Sequence, residues 1–133
     1  MNFGLTTARR TAALGICVAA FLSAPSGTHP AGAAVAAARL HISVTPDGGG
    51  GAYAMRLMCD PDKGGHPRPA AVCDALRAVD GHIERLDVNP GACPMVYQPV
   101  QVKVRGVWHG RPVAYHQEFS NSCAMDRALS PLV

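Results

Sequence analysis

The sequence predicts an α+β fold in a single domain, with four or five antiparallel strands and one main helix over one sheet face. Three observations carry this reading. Apolar residues alternate with polar ones around residues 40–57 and again around 100–119, the period of half-buried strands. Between those blocks Val72, Leu76, Val79, Ile83 and Leu86 recur at spacings of 4, 3, 4 and 3, the single stripe of an amphipathic helix. A chain of 133 residues is long enough for one domain.

The first 33 residues stand apart from that pattern. Residues 1–10 carry only positive charge, at Arg9 and Arg10, and residues 11–24 (TAALGICVAAFLSA) carry none. Small residues follow, with Ala31-Gly32-Ala33 in a small-x-small arrangement. This order predicts a secretory signal peptide over 1–33, cleaved between about 24 and 38, and a mature domain over 34–133. The apolar run is too short to span a bilayer, which takes roughly 20 residues. Ile16 before Cys17 is too large for lipoprotein processing, and no longer motif surrounds Arg9-Arg10 to make a twin-arginine signal.

Within 34–133 ten basic residues face nine acidic ones, so the net charge is near +1 and makes no electrostatic case for nucleic acid or an anionic membrane. A domain of this size has a marginal core and, when exported, commonly adds disulfides. Cys59, Cys73, Cys93 and Cys123 are an even set, open to three connectivities. Zinc ligation by these cysteines with His66 or His82 is the rival use, but no pair has the C-x2-C spacing of zinc ribbons.

Leu40, Ile42 and Val44 form the first alternation, and Tyr53, Met55 and Leu57 repeat it after a glycine-rich turn, which predicts a hairpin with one buried face. Gly48 to Gly51 are not a phosphate loop, because no Gly-Lys-Ser/Thr follows. Residues 59–69 read as a loop by their prolines and glycines. The helix starts near Pro69, a residue tolerated in a first turn, and Gly81 weakens it by about 1 kcal/mol against alanine, so the stripe reads either as one helix or as a helix broken into a second short turn. Cys73 lies beside the helix stripe, within reach of Cys59 across the loop. Asn89-Pro90-Gly91 ends the helical stretch. Val100, Val102 and Val104, then Val113, Tyr115 and Phe119, predict two more strands joined by a reversal at residues 107–111. Residues 126–133 show no clear period.

No catalytic constellation emerges. G-x-S-x-G and H-E-x-x-H are absent, the carboxylates are scattered, and Ser120 near His109 and His116 reads as a turn serine. His41, His66, His82, His109 and His116 read as solvated, and Trp108 as a packing residue of the hairpin.

One stretch asks for another explanation. In GACPMVYQPV, residues 91–100, Met95 is braced by Pro94 and Pro99 directly behind Cys93. Each proline fixes its own φ and biases the residue before it toward an extended backbone. The segment 93–100 is therefore expected to be a stiff, extended strand on a rigid base, the form in which proteases read substrates. Local sequence leaves a second reading open, a stiff loop with Met95 partly buried.

The motifs C-P-M-V-Y-x-P-V at 93–100, G-V-W-x-G at 106–110 and F-S-N-x-C at 119–123 resemble the Streptomyces subtilisin inhibitor family of secreted serine-protease inhibitors. The resemblance runs from about residue 39 to the C-terminus. It implies a five-stranded antiparallel sheet covered on one face by one long and one short helix, two disulfides (Cys59–Cys73 and Cys93–Cys123), dimers formed through sheet faces, and no cofactor. By position it makes Met95–Val96 the reactive bond, with Met95 entering the protease's primary pocket. Ala92, Cys93 and Pro94 flank the bond on its acyl side, Tyr97 and Gln98 on its leaving side. Two residues depart from the family pattern: Gln98 stands where aspartate is frequent, and Ala92 where a larger side chain is frequent. The implied function is reversible, substrate-like inhibition of subtilisin-type proteases by a noncovalent homodimer. A non-inhibitory binding module on the same fold is the first alternative and a small secreted enzyme the second. All four cysteines pairing within the chain, together with an apolar sheet face left uncovered, is what favours the dimer.

Overall fold

Inward-facing Leu40, Ile42 and Val44 make the first strand the centre of the domain. In the computed structural model, which describes residues 35–133, this strand is β1 (Ala38–Pro46), and its three apolar side chains are buried. The expected signal peptide over 1–33 lies outside the described residues. β2 (Tyr53–Cys59) returns from the glycine-rich turn and pairs antiparallel with β1, Leu40 opposite Leu57 and Val44 opposite Tyr53. On the other side β1 pairs with β4 (Val100–Trp108), Ile42 opposite Val104. β5 (Arg111–Phe119) completes that edge, and the two-residue strand β3 (Lys63–Gly64) lines the opposite one, giving the antiparallel order β3-β2-β1-β4-β5. The turn between β4 and β5 is His109-Gly110, both at positive φ (46° and 83°), the pairing that matches strand twist in a two-residue hairpin.

Two helices cover one face. α1 (Pro69–Ala78) buries Val72, Cys73 and Leu76, with Pro69 in its first turn. α2 (Ser122–Leu129) buries Met125 and Leu129, and Leu132 beyond it is also buried. The fifth strand and the second helix are those the family resemblance implies; periodicity alone reads residues 59–69 as loop and finds no period in 126–133.

Several expectations need correction. The stripe from Val72 to Leu86 is not one helix but the broken form, a helix followed by a second short turn. α1 ends at Ala78, Asp80 and Gly81 turn the chain at positive φ, and a short 3-10 turn (Ile83–Arg85) returns Ile83 and Leu86 to the core. Gly81 is required there for space as well as conformation, because a Cβ would overlap the Trp108 indole. Trp108 is buried against this turn and donates its Nε1–H to the Asp80 carboxylate at 3.2 Å. Tyr53, expected on the buried face, is 42% exposed. The sheet face away from the helices is not apolar: β1 and β4 present Arg39, His41, Lys103 and Arg105 on it.

His66 is the other correction. It is buried (5% exposed) rather than solvated. The Arg68 backbone N–H donates to its Nδ1 at 3.0 Å, so Nε2 carries the proton and donates to the Leu132 carbonyl at 3.2 Å. The ring thus joins the loop before α1 to the C-terminal turn. Burial, first, and the nearby Arg68 charge push its pKa below the usual 6.5. The unfolded chain then binds the proton that the native ring refuses, so stability is expected to fall as pH drops below about 6.5 toward the native pKa. Thermal unfolding of the parent between pH 7.5 and 5 should show this loss, and His66→Gln should flatten that part of the profile. An unchanged profile in the variant would place the titration elsewhere.

Candidate functional site

Disulfides form between Cys59 and Cys73 and between Cys93 and Cys123, each with Cα atoms 5.7 Å apart. The first staples the end of β2 to α1. Next to it Arg77 binds Asp60, Asp62 and Asp74, and the hydrogen bond from Arg77 holds the Asp62 carboxyl below the usual carboxylate range. Cys59, Asp62 and Cys73 lie close together, but both sulfurs are in the disulfide and the carboxylate is on Arg77. The second disulfide closes a loop of 30 residues, worth about 3–4 kcal/mol in chain-entropy terms, and joins the segment before β4 to α2.

Residues 87–99 form no helix or strand, and the chain bends at Met95. The expected extended strand over 93–100 is instead an unpaired loop leading into β4, because no neighbouring strand lies beside it. Met95 stands fully clear of the protein at 105% exposure, with Tyr97 at 74% and Val96 at 49%. The alternative of a partly buried methionine is thereby removed. Ala92, Pro94 and Gln98 are exposed as well, and Cys93 is half-buried at the bridge.

An exposed loop keeps one shape only if its backbone is held, and the start of α2 supplies the holders. Asn121 is buried beneath Met95. Its Nδ2 donates to the Val96 carbonyl at 2.9 Å and to the Pro94 carbonyl at 3.3 Å, one on each side of Met95. Its Oδ1 accepts the Ala124 N–H at 2.9 Å, capping α2. Ser120 accepts the Gln98 N–H at 2.8 Å. At the loop's entry Asn89 donates its N–H to the Arg127 carbonyl and accepts from Arg127 Nε, both at 2.8 Å. At its exit the Asp47 N–H donates to the Pro99 carbonyl at 2.9 Å. Residues 120–127 therefore act as a platform that grips both halves of the loop. Between loop and platform is an open hollow of about 460 Å³ bounded by Pro94, Val96, Tyr97, Asn121 and Arg127.

The sequence alone assigns Asn121 no role beyond its place in the F-S-N-x-C motif. An asparagine just ahead of a helix is an N-cap signal, but its second task, gripping a loop 25 to 27 residues away in sequence, has no local signature.

Comparison with known proteins bears on this site directly. The chain is 46% identical over 80 residues to subtilisin inhibitor-like protein 8 of Streptomyces virginiae, covering 57% of this chain and 72% of that one. A putative serine protease inhibitor of Streptomyces avermitilis is 38% identical over 88 residues, 65% of this chain and 60% of its own length. The subtilisin inhibitor of Streptomyces albogriseolus is 43% identical over 75 residues, 55% of this chain and 52% of that one, so the match spans only part of the relatives' length. Among solved structures, Streptomyces caespitosus sermetstatin in complex with Bacillus licheniformis subtilisin superposes with a TM-score of 0.59 at 38% identity, covering 69% of this chain and 91% of that one. A family model described as subtilisin inhibitor-like matches residues 34–121, through the sheet and the whole tethered loop as far as Asn121, and the chain belongs to that family.

Proposed function

We propose that this protein is a reversible, substrate-like inhibitor of subtilisin-type serine proteases that presents Met95–Val96 as its reactive bond. The observation carrying the proposal is the grip of Asn121 on carbonyls flanking Met95, beneath a side chain that is otherwise wholly exposed. The relatives' names fit an inhibitor rather than an enzyme. A protease nucleophile that attacks the Met95 carbonyl carbon forms an acyl-enzyme and releases the Val96 amine, which takes the proton. In a free peptide that amine diffuses away. Here it is retained, because Val96 and Gln98 stay bonded to Asn121 and Ser120 while Cys93 stays bridged to Cys123. A held amine re-attacks the acyl group as an intramolecular nucleophile, an arrangement with very high effective concentration, and the peptide bond re-forms. Stiffness before binding also lowers the ordering cost of association. Titration of subtilisin with the protein should end activity at a one-to-one ratio of loops to enzyme, the loop recovered intact; a protease left fully active would leave the non-inhibitory binding module.

The same reading includes export through the signal peptide over 1–33, release outside the cell, and a noncovalent homodimer. All four cysteines of the mature chain are paired internally, so association would be noncovalent. The sheet face turned from the helices is the surface available to a second copy, but its cations set a condition on stacking. Dimerisation is expected to be weak at low ionic strength and to rise with salt. Sedimentation at micromolar protein checks this, and a monomer at every salt concentration up to 1 M counts against the dimer.

A further inference from the structure

The exposure that offers Met95 to a protease pocket also lays its sulfur open to chemistry. A thioether sulfur is soft and polarisable, and access decides how fast it is oxidised. Met95 is wholly exposed at the head of the loop. The other methionines of the described residues are screened. Met55 and Met58 are half-buried on β2, and Met125 is buried on α2.

Among the described residues the usual competitors for an oxidant are closed off. A free thiolate would react ahead of a thioether, but Cys59, Cys73, Cys93 and Cys123 are all in disulfides. The Trp108 indole is buried. Met95 is thus the sulfur that a dissolved oxidant reaches first. The loop itself does not depend on that sulfur. Its tethers hold backbone carbonyls at Pro94 and Val96, and its bridge lies at Cys93. An added oxygen therefore changes the tip of the loop and leaves its shape.

We infer that Met95 is an oxidation site that switches inhibition off, its thioether converted to the sulfoxide by hydrogen peroxide. The inference rests on the reading that Met95 fills the protease's primary pocket. A lone pair on Sδ attacks one peroxide oxygen, and the S–O bond forms as the O–O bond breaks. The departing hydroxide takes the proton of the transferred oxygen and leaves as water. Sulfur loses two electrons and the peroxide gains them. The product is polar where the thioether was apolar. In water its oxygen is solvated; in a hydrophobic pocket it is buried without a donor, so the protease loses affinity for the oxidised loop. Sulfoxide reductases reverse the step, so the switch can be reset. Once Met95 is seated in the pocket its sulfur is covered, and the complex resists the oxidant that disables the free inhibitor.

The test exposes the intact mature protein to graded hydrogen peroxide, which catalase then removes. Added oxygen is mapped by peptide mass spectrometry, and the subtilisin inhibition constant is measured alongside. Met95 should take up one oxygen ahead of Met55, Met58 and Met125. The inhibition constant should rise roughly ten- to hundredfold for the oxidised protein, with the unfolding midpoint unchanged. Reductases for both sulfoxide epimers should restore it. Met95→Leu, compared with its own untreated constant, should show no rise after the same exposure, whereas Met55→Leu/Met58→Leu should lose inhibition as the parent does. Subtilisin bound before the peroxide is added should slow oxygen uptake at Met95. A Met95 sulfoxide that inhibits as well as the thioether would overturn the switch. So would oxygen on Met55 or Met58 ahead of Met95, or an equal loss in Met95→Leu, which would trace the effect to damage elsewhere. A parent that leaves subtilisin active before any peroxide is added overturns the reactive-bond reading and this inference with it, so the two failures are told apart.

Discussion

Met95→Asp is expected to abolish subtilisin inhibition while leaving the fold intact. The side chain touches nothing that holds the domain together, since it is fully exposed and the loop's tethers are backbone carbonyls, a bridge and Asn121. An unbranched apolar side chain suits a hydrophobic primary pocket, where it adds contact without strain. A carboxylate there is buried without a partner, which costs several kcal/mol; at about 4 kcal/mol the inhibition constant rises roughly a thousandfold. Met95→Lys is the complementary test. It should gain inhibition of a trypsin-type protease, whose pocket carboxylate is left unpaired by methionine, and its thermal unfolding should match the parent's. If Met95→Asp inhibits subtilisin as well as the parent, the loop presents some other residue and the reactive bond is misplaced.

The legible parts of the fold were those with a repeating pattern. β1 and β4 bury every second residue on one side, and their alternation is unbroken over Leu40–Val44 and Val100–Val104. Helix and strand periods fail where an element is short or ends on a turn. Two-residue β3 has no period to read, and α2 has only two turns. Its apolar set, Met125, Leu129 and Leu132, does follow helical spacing, but a reading that begins at Asp126 drops the first member. A helix this short is not stable on its own and depends on its cap, its bridge and its packing, which are tertiary facts. The break in the long stripe was foreshadowed by Gly81, but its cause is Trp108, 27 residues further on, whose ring occupies the place of a side chain. The site divides the same way. Prolines and cysteine around Met95 announced a rigid loop; the platform that makes it rigid appears only when residues 120–127 are brought beneath it. Charge was the least legible property. A total near +1 is an average over a face crowded with cations and a helical side where acids are paired.

Asn121→Asp should turn the inhibitor toward an ordinary substrate. The replacement keeps an oxygen that can accept the Ala124 N–H, so the cap on α2 survives, and an acidic group at a helix N-terminus is favourable. What it removes is the pair of N–H donors to Pro94 and Val96, putting a carboxylate oxygen against carbonyls that repel it. The loop would still be bridged through Cys93 and still present Met95, so initial binding is retained. After attack on the Met95 carbonyl, however, Val96 is no longer held over the acyl group. Two hydrogen bonds at about 1 kcal/mol each amount to about 2 kcal/mol, or a roughly thirtyfold shift from religation toward hydrolysis. Mass spectrometry of the variant with catalytic amounts of subtilisin should show the chain cut between Met95 and Val96, its fragments joined by the Cys93–Cys123 bridge, while the parent stays mostly intact. An unfolding midpoint close to the parent's would show that the cap had been kept. If Asn121→Asp resists cleavage as the parent does, the bridge and the two prolines hold the leaving amine without Asn121, and the grip beneath Met95 is incidental to inhibition.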